Sequence, residues 1–193
     1  MSNKKGFTLI ELLVVMGILG ILMAVTILVI NPAEYLKRSR DTQRINDLGT
    51  INSALGIYLA NGGTTTSYAY CMLDVGVGTS VTQPSPTLAC NGGAVTSVPA
   101  VTDVRTVASA GWVKGVDFTS STYFPGGAPF AALPVDPTNT GNYFYVYSSS
   151  ATAYEIDAAA LESSYYSTQG TAANDGGNSA TKYEVGSSLT LIN

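Results

Sequence analysis

The chain has 193 residues, enough for one domain with appendages, and is weakly charged: 46% of residues are hydrophobic and 11% charged. Residues 1–60 carry net +2 and residues 61–193 net −6, so the larger part is acidic and unsuited to direct nucleic-acid binding, which needs clustered Lys and Arg against phosphate. Histidine is absent, which removes Ser–His and Cys–His catalysis and the commonest zinc ligand.

From Leu12 to Ile30 the sequence is Leu, Val, Met, Ile and Ala, interrupted only by Gly17, Gly20 and Thr26. That run matches the roughly 20 residues a helix needs to cross a bilayer. Lys4 and Lys5 precede it, and the positive-inside rule puts that end in the cytoplasm and the remainder outside. A cleaved secretory signal would need a small-residue site after a shorter apolar core, and none is convincing around Met23-Ala24-Val25. Glu11 stands at the start of the apolar run. An acid at the centre of a membrane helix costs about 2.5–3.5 kcal/mol, somewhat less near the interface, so Glu11 calls for a partner or a function.

The stretch Gly6-Phe7-Thr8-Leu9-Ile10-Glu11-Leu12-Leu13-Val14-Val15 resembles the N-terminal signal of type IV pilins and type II secretion pseudopilins. The resemblance implies that a prepilin peptidase cuts between Gly6 and Phe7 on the cytoplasmic face, that Phe7 is N-methylated, and that the apolar helix is retained. It also implies that Glu11 pairs with the new N-terminal amine of an adjacent subunit. Residues 1–6 would then be a leader, 7–60 an N-terminal helix (7–30 the membrane and filament-core part, 31–60 amphipathic), and 61–193 an extracellular globular head.

Gly20 and Pro32 flank a stretch where the helix is expected to weaken, since Gly is a poor helix former and Pro removes a backbone hydrogen bond. After Pro32, the residues Ile45, Leu48, Ile51, Leu55, Tyr58 and Leu59 recur at three- and four-residue steps, predicting a helical face against which a sheet packs. Lys37, Arg38, Arg40 and Arg44 interleave with Asp41 and Asp47. The spacing predicts Lys37–Asp41 and Arg44–Asp47 pairs within a solvated or headgroup-facing girdle, the other reading being that some of these charges bridge subunits in a polymer. Asn61-Gly62-Gly63 ends the helix.

Residues 64–110 are rich in Thr, Ser, Val, Gly and Pro and predict loops and short strands. Cys71 and Cys90 lie within that region, a placement that suits a disulfide in an oxidising compartment, the other reading being two free thiols. Strands are predicted over Tyr143–Tyr147 and Ala153–Ala158 with a turn at Ser148–Thr152, and one or two more within Tyr183–Val185 and Ser188–Ile192. This makes an antiparallel sheet of three or four strands covered by the helix.

The run Leu133-Pro134-Val135-Asp136-Pro137-Thr138-Asn139, followed by Tyr143 and Tyr145, resembles the proline-rich entry to the sheet in major pseudopilins and related pilins. Some of those proteins bind calcium in a C-terminal loop bearing Asp and Gly, which makes Asp175 in Asn174-Asp175-Gly176-Gly177-Asn178 a candidate calcium ligand; an ordinary turn is the other reading.

The expectation is an α+β type IV pilin fold and a structural subunit that polymerises with itself, served by a prepilin peptidase and inner-membrane assembly machinery. Such a subunit sits in the membrane before assembly and requires no bound cofactor. A secretion pseudopilin is the alternative. A membrane-tethered hydrolase fits less well, because histidine is missing and no clustered acidic pair stands out.

Overall fold

The computed structural model describes residues 6–65, 68–72, 105–109, 111–139 and 142–192. Two helices come first. Helix α1 spans Leu9–Ile30 and α2 spans Pro32–Ala60. Where one continuous helix was expected, Asn31 interrupts it with φ 45° and ψ 72°. The cause is local: proline clashes with a helical residue before it, and Asn tolerates the left-handed region better than most side chains. Pro32 then begins α2 at a position where its missing N–H costs nothing. Gly20, the other expected weak point, lies in uninterrupted helix.

Strand β1 spans Tyr68–Met72, β2 Tyr145–Ser149 and β3 Tyr154–Ala158; a short helix α3 covers Ser164–Thr168, and β4 covers Tyr183–Gly186. The sheet is antiparallel in the order β1-β2-β3-β4. The predicted aromatic strand begins two residues later than expected and runs through Ser149, because pairing with Tyr154–Ala158 sets its ends. Ser188–Ile192 forms no strand. Its Leu191 and Ile192 amides donate instead to Glu155 Oε2, at 2.5 and 2.8 Å.

One face of the sheet, carrying Tyr145, Tyr147, Tyr154, Ile156 and Ala158, joins α2 in the main core. From α2 that core receives Leu48, Ile51, Leu55 and Tyr58 of the predicted stripe, with Leu59 packed against it and Ala54 added, while Ile45 is only partly buried outside it. Burying each large apolar side chain is worth about 1.5–3 kcal/mol. The irregular segment 111–133 closes the core with Trp112, Val113, Val116, Phe118, Phe124 and Leu133, a contribution no periodicity announced. Trp112 Nε1 donates to the Pro134 carbonyl at 3.0 Å, and its ring lies 5.9 Å from that of Tyr145.

The opposite face of the sheet carries Val146, Glu155, Asp157 and Glu184, all buried. Phe144, Val146 and Ile192 make a small second core there. The expected Cys71–Cys90 disulfide rests on Cys90, outside the described residues.

Candidate assembly site

Every described side chain of α1 is exposed, from Leu9 through Ile30. Phe7, just before it, is 91% exposed. A helix that is apolar all round is a membrane span or part of the core of something larger, and its exposed surface far exceeds the few hundred Å² a soluble monomer ordinarily shows. Among the described residues, α1 is the helix long and apolar enough to cross a membrane, over Leu9–Ile27.

Glu11 already has a partner within its own chain. Its Oε2 accepts hydrogen bonds from the Thr8 backbone N–H and Thr8 Oγ1, both at 2.8 Å, while Thr8 Oγ1 accepts from the Glu11 N–H at 3.3 Å. This reciprocal cap satisfies donors that the first helical turn leaves open. The negative charge also sits at the positive end of the helix dipole. The signal was present in the sequence as Thr8-Leu9-Ile10-Glu11, a Ser/Thr followed three residues later by Glu.

The charges on α2 do not form a girdle. Arg44 is fully buried, and its guanidinium is shared among three carboxylates. Nε and Nη2 fork onto Asp136 at 2.7 and 2.9 Å, Nη1 donates to Asp41 at 2.7 Å, and Nη2 also reaches Glu162 at 2.6 Å and Thr138 at 3.0 Å. Arg40 forks onto Glu162 from the other side. Asp41 further accepts the backbone N–H groups of Glu162 and Ser163, and Asp136 those of Thr138 and Asn139.

Burial works against the Arg44 charge, yet its bonds to Asp136 and Glu162 outweigh that and raise its pKa. The network clips α2 to the proline-rich run before β2 and to the segment after β3. The predicted Arg44–Asp47 and Lys37–Asp41 pairs give way to others: Asp47 accepts from Tyr145 Oη at 2.9 Å, and Lys37 stands 4.0 Å from Glu34.

Arg38 lies over the Tyr165 ring, 3.4 Å from its centroid. Glu34 accepts from Ser164, so α3 packs beside the lower part of α2. The sequence offered one overlooked clue to the clip. Asp41 and Arg44 continue the 48-51-55-58 stripe in alternating steps of three and four, so they point at the core whatever their charge.

Glu162 titrates with consequence. The Arg40 bond, with help from Thr138 and Arg44, outweighs burial and holds its carboxyl down to about 2 from the ordinary 4.5. A lowered folded pKa stabilises fully above the unfolded value and is lost as pH falls through the folded one. The thermal midpoint of the full chain in detergent is therefore expected to drop between pH 4.5 and 2 by the equivalent of about 3 kcal/mol. In Glu162→Gln that acid limb flattens; an unchanged limb would dissociate it from this carboxylate.

Asp175, the predicted calcium ligand, accepts from the Gly177 N–H at 2.9 Å and the Glu184 N–H at 2.7 Å, one on each oxygen. It folds its loop onto β4. Gly177 lies so close to Glu184 that a Cβ there would stand 1.9 Å from Oε2, which explains the glycine.

The fold has the α+β build of a type IV pilin, an apolar N-terminal helix with an antiparallel sheet. Residues 1–27 match the family described as a prokaryotic N-terminal methylation motif, which gives the chain a type IV pilin-family signal. Over 66 residues it is 38% identical to fimbrial protein Q of Moraxella bovis, a stretch covering 33% of this chain and 40% of that protein. No solved structure matches the chain.

Proposed function

We propose that this chain is a structural subunit of a type IV pilus-like filament, assembled through α1 after a prepilin peptidase cuts between Gly6 and Phe7. The observation that carries the reading is an apolar 22-residue helix whose every described side chain is exposed, with one carboxylate at its N-terminal end. Before assembly the helix lies in the membrane with its N-terminus in the cytoplasm; in the filament, like helices replace lipid around it. Methylated Phe7 then presents its amine to Glu11 of a neighbouring subunit. Both Thr8 bonds fall on Oε2, and Oε1 takes the amine. An ion pair in that setting fixes the stagger between subunits more than it adds stability.

Glu11→Val is expected to leave the protein processed and membrane-inserted while filament yield falls at least tenfold. Normal yield would remove Glu11 from assembly. Mass spectrometry of purified fibres should place the N-terminus at a methylated Phe7, and an intact Met1 in assembled material would overturn the processing step.

A secretion pseudopilus would use the same N-terminal signal. The likeness to a fimbrial protein supports the pilus reading, and electron microscopy of cells with and without the protein separates the two by the presence of long surface fibres.

A further inference from the structure

Three carboxylates gather on the sheet face turned away from α2. Asp157 on β3 stands opposite Glu184 on β4, and Glu155 lies two residues along β3 on the same face. Like charges directly opposite on neighbouring strands repel, and all three residues are buried.

Each carboxylate keeps oxygens without a hydrogen-bond partner: both oxygens of Asp157, Oε1 of Glu155 and Oε1 of Glu184. The remaining oxygens are held. Glu155 Oε2 accepts from Leu191 and Ile192, and Glu184 Oε2 accepts the Ser179 N–H at 2.8 Å. Buried polar atoms are seldom left unpaired in native proteins, and four in one place call for an explanation. One carboxylate oxygen from each of the three residues lies within 4.8 Å of the others.

We propose that Glu155, Asp157 and Glu184 form a divalent-cation site whose ligand is calcium. Two oxygens on opposite sides of a calcium ion stand about 4.6–5.2 Å apart, which fits this cluster, and an all-oxygen donor set is what calcium takes. Sulfur and imidazole, which favour zinc and the later transition metals, are missing from the cluster.

Burial, then Glu155 and Glu184, push the Asp157 carboxyl up to about 8, with Lys182 opposing and Asp175 adding to the rise. Burial and the neighbouring Glu184 carboxyl also push Glu155 up, against the Ile192 and Leu191 N–H groups. Asp175 accepts the Gly177 and Glu184 N–H groups and so fixes the loop on β4 beside these strands.

The test uses the full chain in detergent at pH 9, above the value to which burial and its neighbours push the Asp157 carboxyl. Calcium at saturating concentration is expected to raise the thermal midpoint by about 5–10 °C over the same protein in EGTA, with about one calcium per chain after desalting. Equimolar magnesium should have less than a third of that effect. Asp157→Asn should melt higher than the parent protein in EGTA, because a repulsive charge is gone, and should lose the calcium response.

A purely structural acidic cluster held together by shared protons would give the first result for Asp157→Asn with no calcium response in the parent, and that outcome overturns the proposal. Loss of the response in Asp175→Asn but not in Asp157→Asn would overturn it in favour of the loop. Equal responses to magnesium and calcium would overturn the choice of ion.

Discussion

Arg44→Ala is expected to destabilise the head by about 3–5 kcal/mol, the range for stripping one partner from a buried ion network. The guanidinium is the common donor to Asp41, Asp136 and Glu162. Without it those acids face one another in a space that water does not reach, with Arg40 left to serve Glu162 alone. The cost arises mainly from the stranded carboxylates rather than from the lost attraction. Arg44→Lys should recover only part of the loss, since an ammonium cannot fork onto Asp136 while also reaching Asp41. Arg38→Ala, which removes a half-buried cation over Tyr165, should cost about 1 kcal/mol. Urea unfolding of the full chain in detergent, followed through its single tryptophan, measures all three. A loss under 1 kcal/mol for Arg44→Ala would mean that the network contributes little to holding α2 against the sheet.

Trp112→Ala should cost a similar amount, about 3–5 kcal/mol, by a different route. Its indole is fully buried among residues from α2, the sheet and the irregular segment, and truncation leaves a cavity that a β-sheet on one side and a helix on the other cannot easily collapse to fill. The Pro134 carbonyl also loses its donor. Far-UV circular dichroism melts report the change, and Trp112→Phe should restore roughly half of it. Equal melting of Trp112→Ala and the parent protein would show that segment 111–133 covers the core without supporting it.

What could be read in one dimension was what local pattern determines. Helix α1 follows from composition alone, and the stripe Leu48, Ile51, Leu55 and Tyr58 follows from its period. The Asn31 break sits beside the proline that causes it, although the reading placed a diffuse weakening there rather than a single left-handed residue. Asp41 and Arg44 obeyed the same period, yet their chemistry suggested water, because the partners that make burial tolerable lie 92 to 122 positions later. Glu155 and Asp157 are equally hard to place from pattern. They alternate with Tyr154, Ile156 and Ala158 as solvent-facing strand residues do, yet both are buried, and the returning C-terminal segment bonds to Glu155 through Leu191 and Ile192. Segment 111–133 carried neither period nor motif, so its place in the core depends wholly on tertiary contacts. At Glu11 the difficulty was different: a neighbouring-subunit partner was sought, while Thr8, three residues away, was overlooked.

The long reach of the Arg44 clip has a consequence in time. Asp136 and Glu162 follow Arg44 by 92 and 118 positions, and at the usual pace of synthesis, about 5–20 residues per second, they trail it by about 5–24 s. Through that interval the guanidinium stays hydrated and α2 has nothing to close upon. Closure waits for nearly the whole polypeptide, so a truncated product would keep an open, charge-bearing helix rather than a smaller version of the finished fold.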